Sequence, residues 1–438
     1  MGRPTSGERS RIMTGHLLDR LAAAHASGQT PGVTSICSAH PLVLDEVVRR
    51  AAGSDVGVLI EATCNQVNQD GGYTGLTPAA FRDQVRQLVV RHGLAADKVV
   101  LGGDHLGPNP WRHLPAATAM AKSKDLVRDY VAAGYSKIHL DTSMGCADDA
   151  PGPLPPGLIA ERAAGLAVVA ELAATGFDAK PRYVIGTEVP VPGGESAGHH
   201  GVHVSEPADV DETIDVTRLA FESAGVPGAW ERVRALVAQP GVEFSDEELH
   251  AYRPGRAEHL YQCLRNLHTM VFEAHSTDYQ SRSALKALVE DHFAILKVGP
   301  GLTFAYREAL FALAQIESEL LGDRASQVRA TLDRAMVADP SHWRDFYPED
   351  EARSSLSRRY SRSDRSRYYW SVPEVRDAVD RMLVNLDRVA VPDELVSQHL
   401  PWLRGAEPPG ASVGLDSAEA VLRSAIGVVL DAYASATQ

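Results

Sequence analysis

Cysteine is scarce in this 438-residue chain: Cys37, Cys64, Cys146 and Cys263 are widely scattered, and none forms a CxxC pair. That excludes a disulfide framework and leads us to expect a reduced, cytoplasmic protein. Positive charge is also short, with 43 Lys and Arg against 57 Asp and Glu and a formal net charge of −14. Such a balance argues against bulk attraction to nucleic acid or an anionic membrane. No run reaches the roughly 18 uninterrupted apolar residues of a membrane span. The opening MGRPTSGERSR carries charge with no apolar core behind it, unlike a secretory signal. Phosphate-cradling and nucleophile-elbow motifs of the P-loop and GxSxG types are missing as well.

What is present is a recurring unit of strand followed by helix. Runs rich in β-branched residues begin near Val33, Val56, Lys98, Tyr135, Arg182, Val233, Thr269 and Phe293. The segments between them show helical periodicity. Thr77-Pro78 supplies a cap and a first-turn proline, and Phe81, Val85, Leu88 and Val89 then share one face. Met120, Val127, Tyr130 and Val131 form a second such face, and Ile159, Ala163, Leu166 and Ala170 a third. Eight units in about 260 residues match a (β/α)8 TIM barrel. The competing doubly wound sheet is disfavoured because its GxGxxG turn is absent after the first strand. The reading is a barrel over residues 1–322, with strands from about 33 to 299. A mainly helical C-terminal extension over 323–438 is expected to cover the barrel mouth.

In this architecture chemistry sits at the C-terminal ends of the strands. Those ends carry Ser38 and His40, Glu61, Asp104 and His105, Asp141, Glu188, Gln239, His275 and Lys297. Any one of them reads most simply as a solvated loop residue or a helix cap; several carboxylates and imidazoles at one mouth point to a site. His105, Glu188 and His275 arrive from different strands and would leave open positions on a divalent metal. Asp104, next to His105, points to the opposite face if strand alternation holds, which suits an acid/base role. His199, His200 and His203 read as a solvated loop, and His139 as a packed strand residue. The glycine turn GGYTG at 71–75 is weak evidence for an anion cradle. The run RRYSRSDRSRYYW, residues 358–370, reads either as a charged helix face or as a guanidinium grip for an anion.

The blocks SICSAHPLVL, IEATCNQVNQDGGYTG, GGDHLGPNPW, KIHLDTSMGCA, YVIGTEVPVPGGE, AQPGVEF, EAHSTDYQ, FAILKVGP and RYSRSDRSRYYW occur in this order. Together they resemble the Z subunit of class II tagatose-1,6-bisphosphate aldolase, over about residues 33 to 402. That family is described as a chaperone-like, non-catalytic partner of an aldolase subunit, and some relatives are ketohexose, ketohexose-phosphate or hexuronate C4 epimerases. It is similar in turn to metal-dependent class II fructose-bisphosphate aldolases. The resemblance implies acid/base work for Asp104 and metal ligation for His105 and His275. The aldolases' middle histidine ligand has no counterpart, so Glu188 or Gln239 stands in its place. Ser276, Thr277 and Asp278 replace the aldolases' glycine-rich phosphate turn.

The expected activity is metal-dependent epimerisation at C4 of a tagatose- or fructose-type ketohexose, its 6-phosphate or its hexuronate, by retro-aldol cleavage and re-addition at C3–C4. The alternative is a supporting subunit of an aldolase. The expected ion is Zn²⁺, with Mn²⁺ or Mg²⁺ open. Asp104 and Glu188 are the expected catalytic residues. Expected metal ligands are His105, His275, Glu188 and Gln239. Glu61, Asp141, Ser276, Thr277, Asp278, Lys297, Arg365 and Arg367 are expected to contact substrate. A homo-oligomer is expected, with no nucleic-acid or membrane partner.

Overall fold

A computed structural model describes residues 15–54, 57–186, 202–264, 267, 269–405 and 415–437. Eight parallel strands close into a barrel: β1 (Val33–Ile36), β2 (Val58–Thr63), β3 (Val99–Leu106), β4 (Lys137–Leu140), β5 (Arg182–Ile185), β6 (Val233–Val237), β7 (Val271–Ala274) and β8 (Phe293–Val298). Each strand pairs with its neighbours in sequence, and β1 closes the ring on β8 with Val33 opposite Ile295. All eight begin within two residues of the positions expected from the sequence.

The outer helices form for the reasons their sequences suggest. The Thr77 side chain accepts from the Ala80 amide at 3.3 Å, and Gly93, at φ +65°, ends the helix Pro78–His92. Phe81, Val85, Leu88 and Val89 are buried against the sheet. Ile159, Ala163, Leu166 and Ala170 do the same from the helix Pro156–Ala173.

Two features of the barrel interior had no signal in the strand pattern. The helix Leu17–Ala26 closes the end opposite the mouth. Its Leu18 and Leu21 pack with Val33, Leu59, Val100, Val184, Ala235 and Val271. Asp19 of the same helix pairs with Arg182 and Arg234, which fixes it across two strands. Above that apolar layer the interior becomes ionic. Glu61 and Glu273 face Lys137 and Lys297, all four buried. Gly102 on β3 makes room for this layer, because a Cβ there would lie 2.7 Å from Glu61 Cγ.

Beyond Leu321 the described residues contain helices and no strand. The turn Arg365–Tyr368 reaches the barrel mouth, where Arg367 and Tyr368 join the wall of the site cavity. The last helix, Ala418–Thr437, is long and apolar enough to cross a membrane by length and composition alone. It lies instead along the helices Pro300–Leu321 and Arg282–Glu290, and its Tyr433 hydroxyl is 2.9 Å from Thr277 Oγ1.

Candidate active site

Strand alternation should turn Asp104 and His105 to opposite faces. The chain breaks that rule locally. His105 has φ +49°, and the β3–β4 register shifts between Gly103 and Leu106, so both side chains enter the mouth. A left-handed backbone at a non-glycine residue is costly and tends to mark a functional position. Ser276, after β7, has φ +54° and also lines the cavity.

Asp104, His139, Glu273 and His275 form one buried cluster, with a potential ligand atom from each within 4.8 Å of the others. His139 Nδ1 lies 2.8 Å from Asp104 Oδ1, and His275 Nε2 lies 3.1 Å from Glu273 Oε1. His139 Nε2 is buried with no hydrogen-bond partner. Burial, with Lys297 second, pushes His275 down to about 3, so its imidazole is neutral and able to ligate. Although burial opposes it, the charges of His105 and Lys297 hold Asp104 well below the usual carboxylate range.

Charge balance also favours a cation. Glu61, Asp104, Asp141 and Glu273 are buried here, against only Lys137 and Lys297. Four carboxylates against two ammonium groups leave a negative balance, which the raised pKa of His105 offsets in part and a bound cation would offset further. Lys137 Nζ sits 2.7 Å from both Glu61 oxygens and 2.7 Å from Glu273 Oε2. Lys297 Nζ contacts Asp104 and lies 3.2 Å from Glu273 Oε1 and 3.4 Å from Glu61 Oε2. The donor set and the orphaned His139 nitrogen fit a divalent metal.

His105 is held differently. Its Nδ1 is 2.7 Å from Asp141 Oδ2, and its Nε2 is 3.7 Å from Asp104 Oδ2. Burial works against its charge, but Asp104 and Asp141 outweigh that and raise its pKa. An imidazole oriented by a buried carboxylate on one nitrogen is equipped to move a proton with the other.

The sequence-derived residues divide accordingly. Asp104, His105, His275, Ser276, Asp278, Lys297 and Arg367 line one cavity, with Cys37, Asn65, Gln66, Tyr73 and Tyr368. Glu61 is in mid-strand rather than at an end, sealed beneath the mouth by Ser35, Lys137 and Lys297. Asp141 buttresses His105 instead of lining the cavity. Thr277 donates to the Lys297 carbonyl at 2.6 Å, which commits it to the fold.

Gln239 does not join the cluster. Its Oε1 accepts from the amides of Gly241 and Val242 and is used up shaping the loop after β6. Arg365 is buried with its guanidinium 3.2 Å from the Phe346 ring centre and does not line the cavity. Burial lowers it to about 10. Glu188, His199 and His200 lie outside the described residues.

The site also holds residues that sequence reasoning passed over. His139 was read as packing and Glu273 was not singled out. Period-two counting could have found both, since Lys137 and His139 alternate toward the interior on β4, and Glu273 on β7 does so with His275 just past its end. The GGYTG turn serves shape: at Gly72, φ +55°, a Cβ would fall 2.3 Å from the Gln66 carbonyl oxygen. Tyr73 in that turn lines the cavity.

Residues 18–438 match the model of the D-tagatose-1,6-bisphosphate aldolase subunit GatZ/KbaZ-like family. The chain belongs to this family. One GatZ/KbaZ-like relative, the D-tagatose-1,6-bisphosphate aldolase subunit GatZ of Klebsiella pneumoniae, is 50% identical over 381 residues, covering 86% of this chain and 89% of the relative. The D-tagatose 6-phosphate 4-epimerase of Agrobacterium fabrum is 48% identical over 423 residues, covering 96% of this chain and 98% of the relative. A crystal structure described as a probable tagatose 6 phosphate kinase from Sinorhizobium meliloti superposes with a TM-score of 0.83 at 47% identity, over 92% of this chain and all of the other.

Proposed function

We propose that the chain is a divalent-metal-dependent 4-epimerase of a ketohexose 6-phosphate, interconverting the tagatose and fructose configurations by retro-aldol cleavage and re-addition. The observation that carries this reading is the buried Asp104–His139–Glu273–His275 cluster beside the His105–Asp141 pair at the barrel mouth. The 4-epimerase of Agrobacterium fabrum, similar over nearly the whole chain, supports the choice of substrate.

Asp104, His139, Glu273 and His275 would hold the ion, for which Zn²⁺ suits a mixed imidazole and carboxylate set. When bound, the ion supplies electrophilic polarisation of the ketose carbonyl. His105, steadied by Asp141, takes the proton of the C4 hydroxyl. The C4–O electrons form a carbonyl, the C3–C4 bond breaks, and its electron pair remains on the C3 fragment as an enediolate. After the aldehyde turns over, C3 attacks its opposite face, and the new C4 oxygen recovers the proton from His105. Lys297, with Nζ at the cavity floor, adds positive charge near the developing enediolate. Arg367 offers its guanidinium to the phosphate.

A second reading is that of a supporting subunit for an aldolase, favoured by the Klebsiella pneumoniae GatZ relative. Purified chain given D-tagatose 6-phosphate and Zn²⁺, with no second polypeptide, separates the two. The epimerase reading expects the C4 epimer to accumulate, with no solvent deuterium at C4 in D₂O. Absence of turnover alone, together with stimulation of an aldolase subunit, would establish the second reading.

A further inference from the structure

Barrels of this kind often seat a phosphate where the loops after the seventh and eighth strands meet the N-terminus of a helix, because unpaired amides there point at the anion. In this chain that place already holds a carboxylate. Asp278, in the loop after β7, is buried and lines the cavity at the ion cluster together with Gly299 and Pro300. Its Oδ1 accepts from the Gly299 amide at 3.0 Å and from the Gly301 amide at 2.7 Å. Both amides belong to the start of the helix Pro300–Leu321, which follows β8.

Between residues 299 and 302 no amide is left for a ligand. Pro300 has no N–H, and the Leu302 amide donates to the Gly299 carbonyl at 3.0 Å. The fit is close: a Cβ at Gly301 would lie 2.9 Å from Asp278 Oδ1, so glycine at this position lets the carboxylate reach the amides. The loop that carries Asp278 is held on two sides. Thr277 donates to the Lys297 carbonyl, and its Oγ1 is 2.9 Å from the Tyr433 hydroxyl of the last helix. Burial pushes Asp278 up to about 6, which leaves it an anion at neutral pH.

We propose that Asp278 sets substrate choice: its carboxylate fills the phosphate seat beside the ion cluster, so the site takes a ketose 6-phosphate with a free C1 hydroxyl and rejects a 1,6-bisphosphate. The inference rests on the ketose 6-phosphate reading above. Asp278 follows the proposed ion ligand His275 by three residues, and the C2 carbonyl is held at the ion, so C1 is the carbon turned toward this loop. A C1 hydroxyl can donate to the carboxylate. A C1 phosphate would meet like charge and find the amides already taken, and a buried like-charge contact is little screened by salt. The substrate's single phosphate is left to Arg367, which lines the same cavity.

The test measures, by calorimetry on the Zn²⁺-loaded protein, the affinities for D-fructose 6-phosphate and D-fructose 1,6-bisphosphate. Wild type should favour the monophosphate by about tenfold or more, the weight of a charged contact. Asp278→Ala empties the seat, frees two amides and removes the charge, so it should narrow that preference by about tenfold or more. Asp278→Asn keeps the shape and removes only the charge. It should narrow the preference about threefold, and it decides the matter if the alanine variant does not fold. A general loss of structure would weaken both esters alike and leave their ratio where it was. Equal affinities in wild type, binding of neither ester, or a ratio unchanged in the folded variants overturns the proposal. Failure of the epimerase reading looks different: wild type then gives no C4 epimer from D-tagatose 6-phosphate, while the binding ratio and its response to Asp278 are still measured.

Discussion

His105 Nδ1 lies 2.7 Å from Asp141 Oδ2, which joins a left-handed residue of β3 to the residue just past β4. The contact orients the imidazole and keeps its other nitrogen toward the cavity. Asp141→Asn should therefore lower kcat about 10- to 100-fold, as the loss of an orienting carboxylate does elsewhere. Steady-state kinetics and metal analysis on the same preparation check this. A variant with unchanged kcat would deny the pair its role.

Metal content should depend on His139 as strongly as on His275. Wild type is expected to carry one divalent ion per chain, and His139→Ala and His275→Ala to lose it. Elemental analysis after gentle purification reads the result directly. Full occupancy in both variants would disprove the proposed ligand set.

Lys137 neutralises Glu61 and Glu273 where no water reaches. Removing one partner from a buried ionic group typically costs roughly 3–5 kcal/mol, because the remaining charge stays buried. Lys137→Met should shift the urea midpoint accordingly and lower the melting temperature. If the midpoint stays within error, the ionic layer contributes no net stability.

The two arginines near the mouth should behave differently. Arg367→Ala is expected to raise KM for a phosphorylated ketose about tenfold, as loss of a charged contact would. Arg365→Ala should leave KM alone and reduce stability, since its guanidinium is stacked on Phe346. Parallel KM and melting measurements decide, and a KM effect at Arg365 alone would reverse the assignment.

Acid should loosen the fold through two histidines that are not part of the ion cluster. Burial depresses both His16 and His40 from 6.5 to about 4. Between those values the unfolded chain binds more protons than the folded one, so stability rises with pH across that window and is lost as pH falls through it. The slope is at most about 1.4 kcal/mol per pH unit for each histidine. Unfolding midpoints at pH 4.5 and 7 test it, and His16→Gln with His40→Gln should flatten the difference.

The barrel was legible because β-branched runs and capped amphipathic helices alternate along the chain, and each element is specified by its own few residues. Asp104, His105, His275 and Lys297 were legible for the same local reason, as polar groups at or near strand ends. His139 and Glu273 were passed over because one residue type serves equally as core filler or as ligand. Only its neighbours across the barrel distinguish the two roles.

Local pattern therefore determined the eight strands and where each begins. Tertiary structure decided what their side chains meet. The left-handed turn at His105 brings Asp104 and His105 to the same side, against the two-residue period. Gln239 is spent on its own loop, whereas Glu273 faces Lys137, His275 and Lys297. The helix Leu17–Ala26 plugs the far end of the barrel, a position that nothing in its own residues specifies. The physical reason is distance: backbone preference acts over a few residues, whereas charge pairing and burial act between residues far apart in the chain, once closure of the barrel has brought them together.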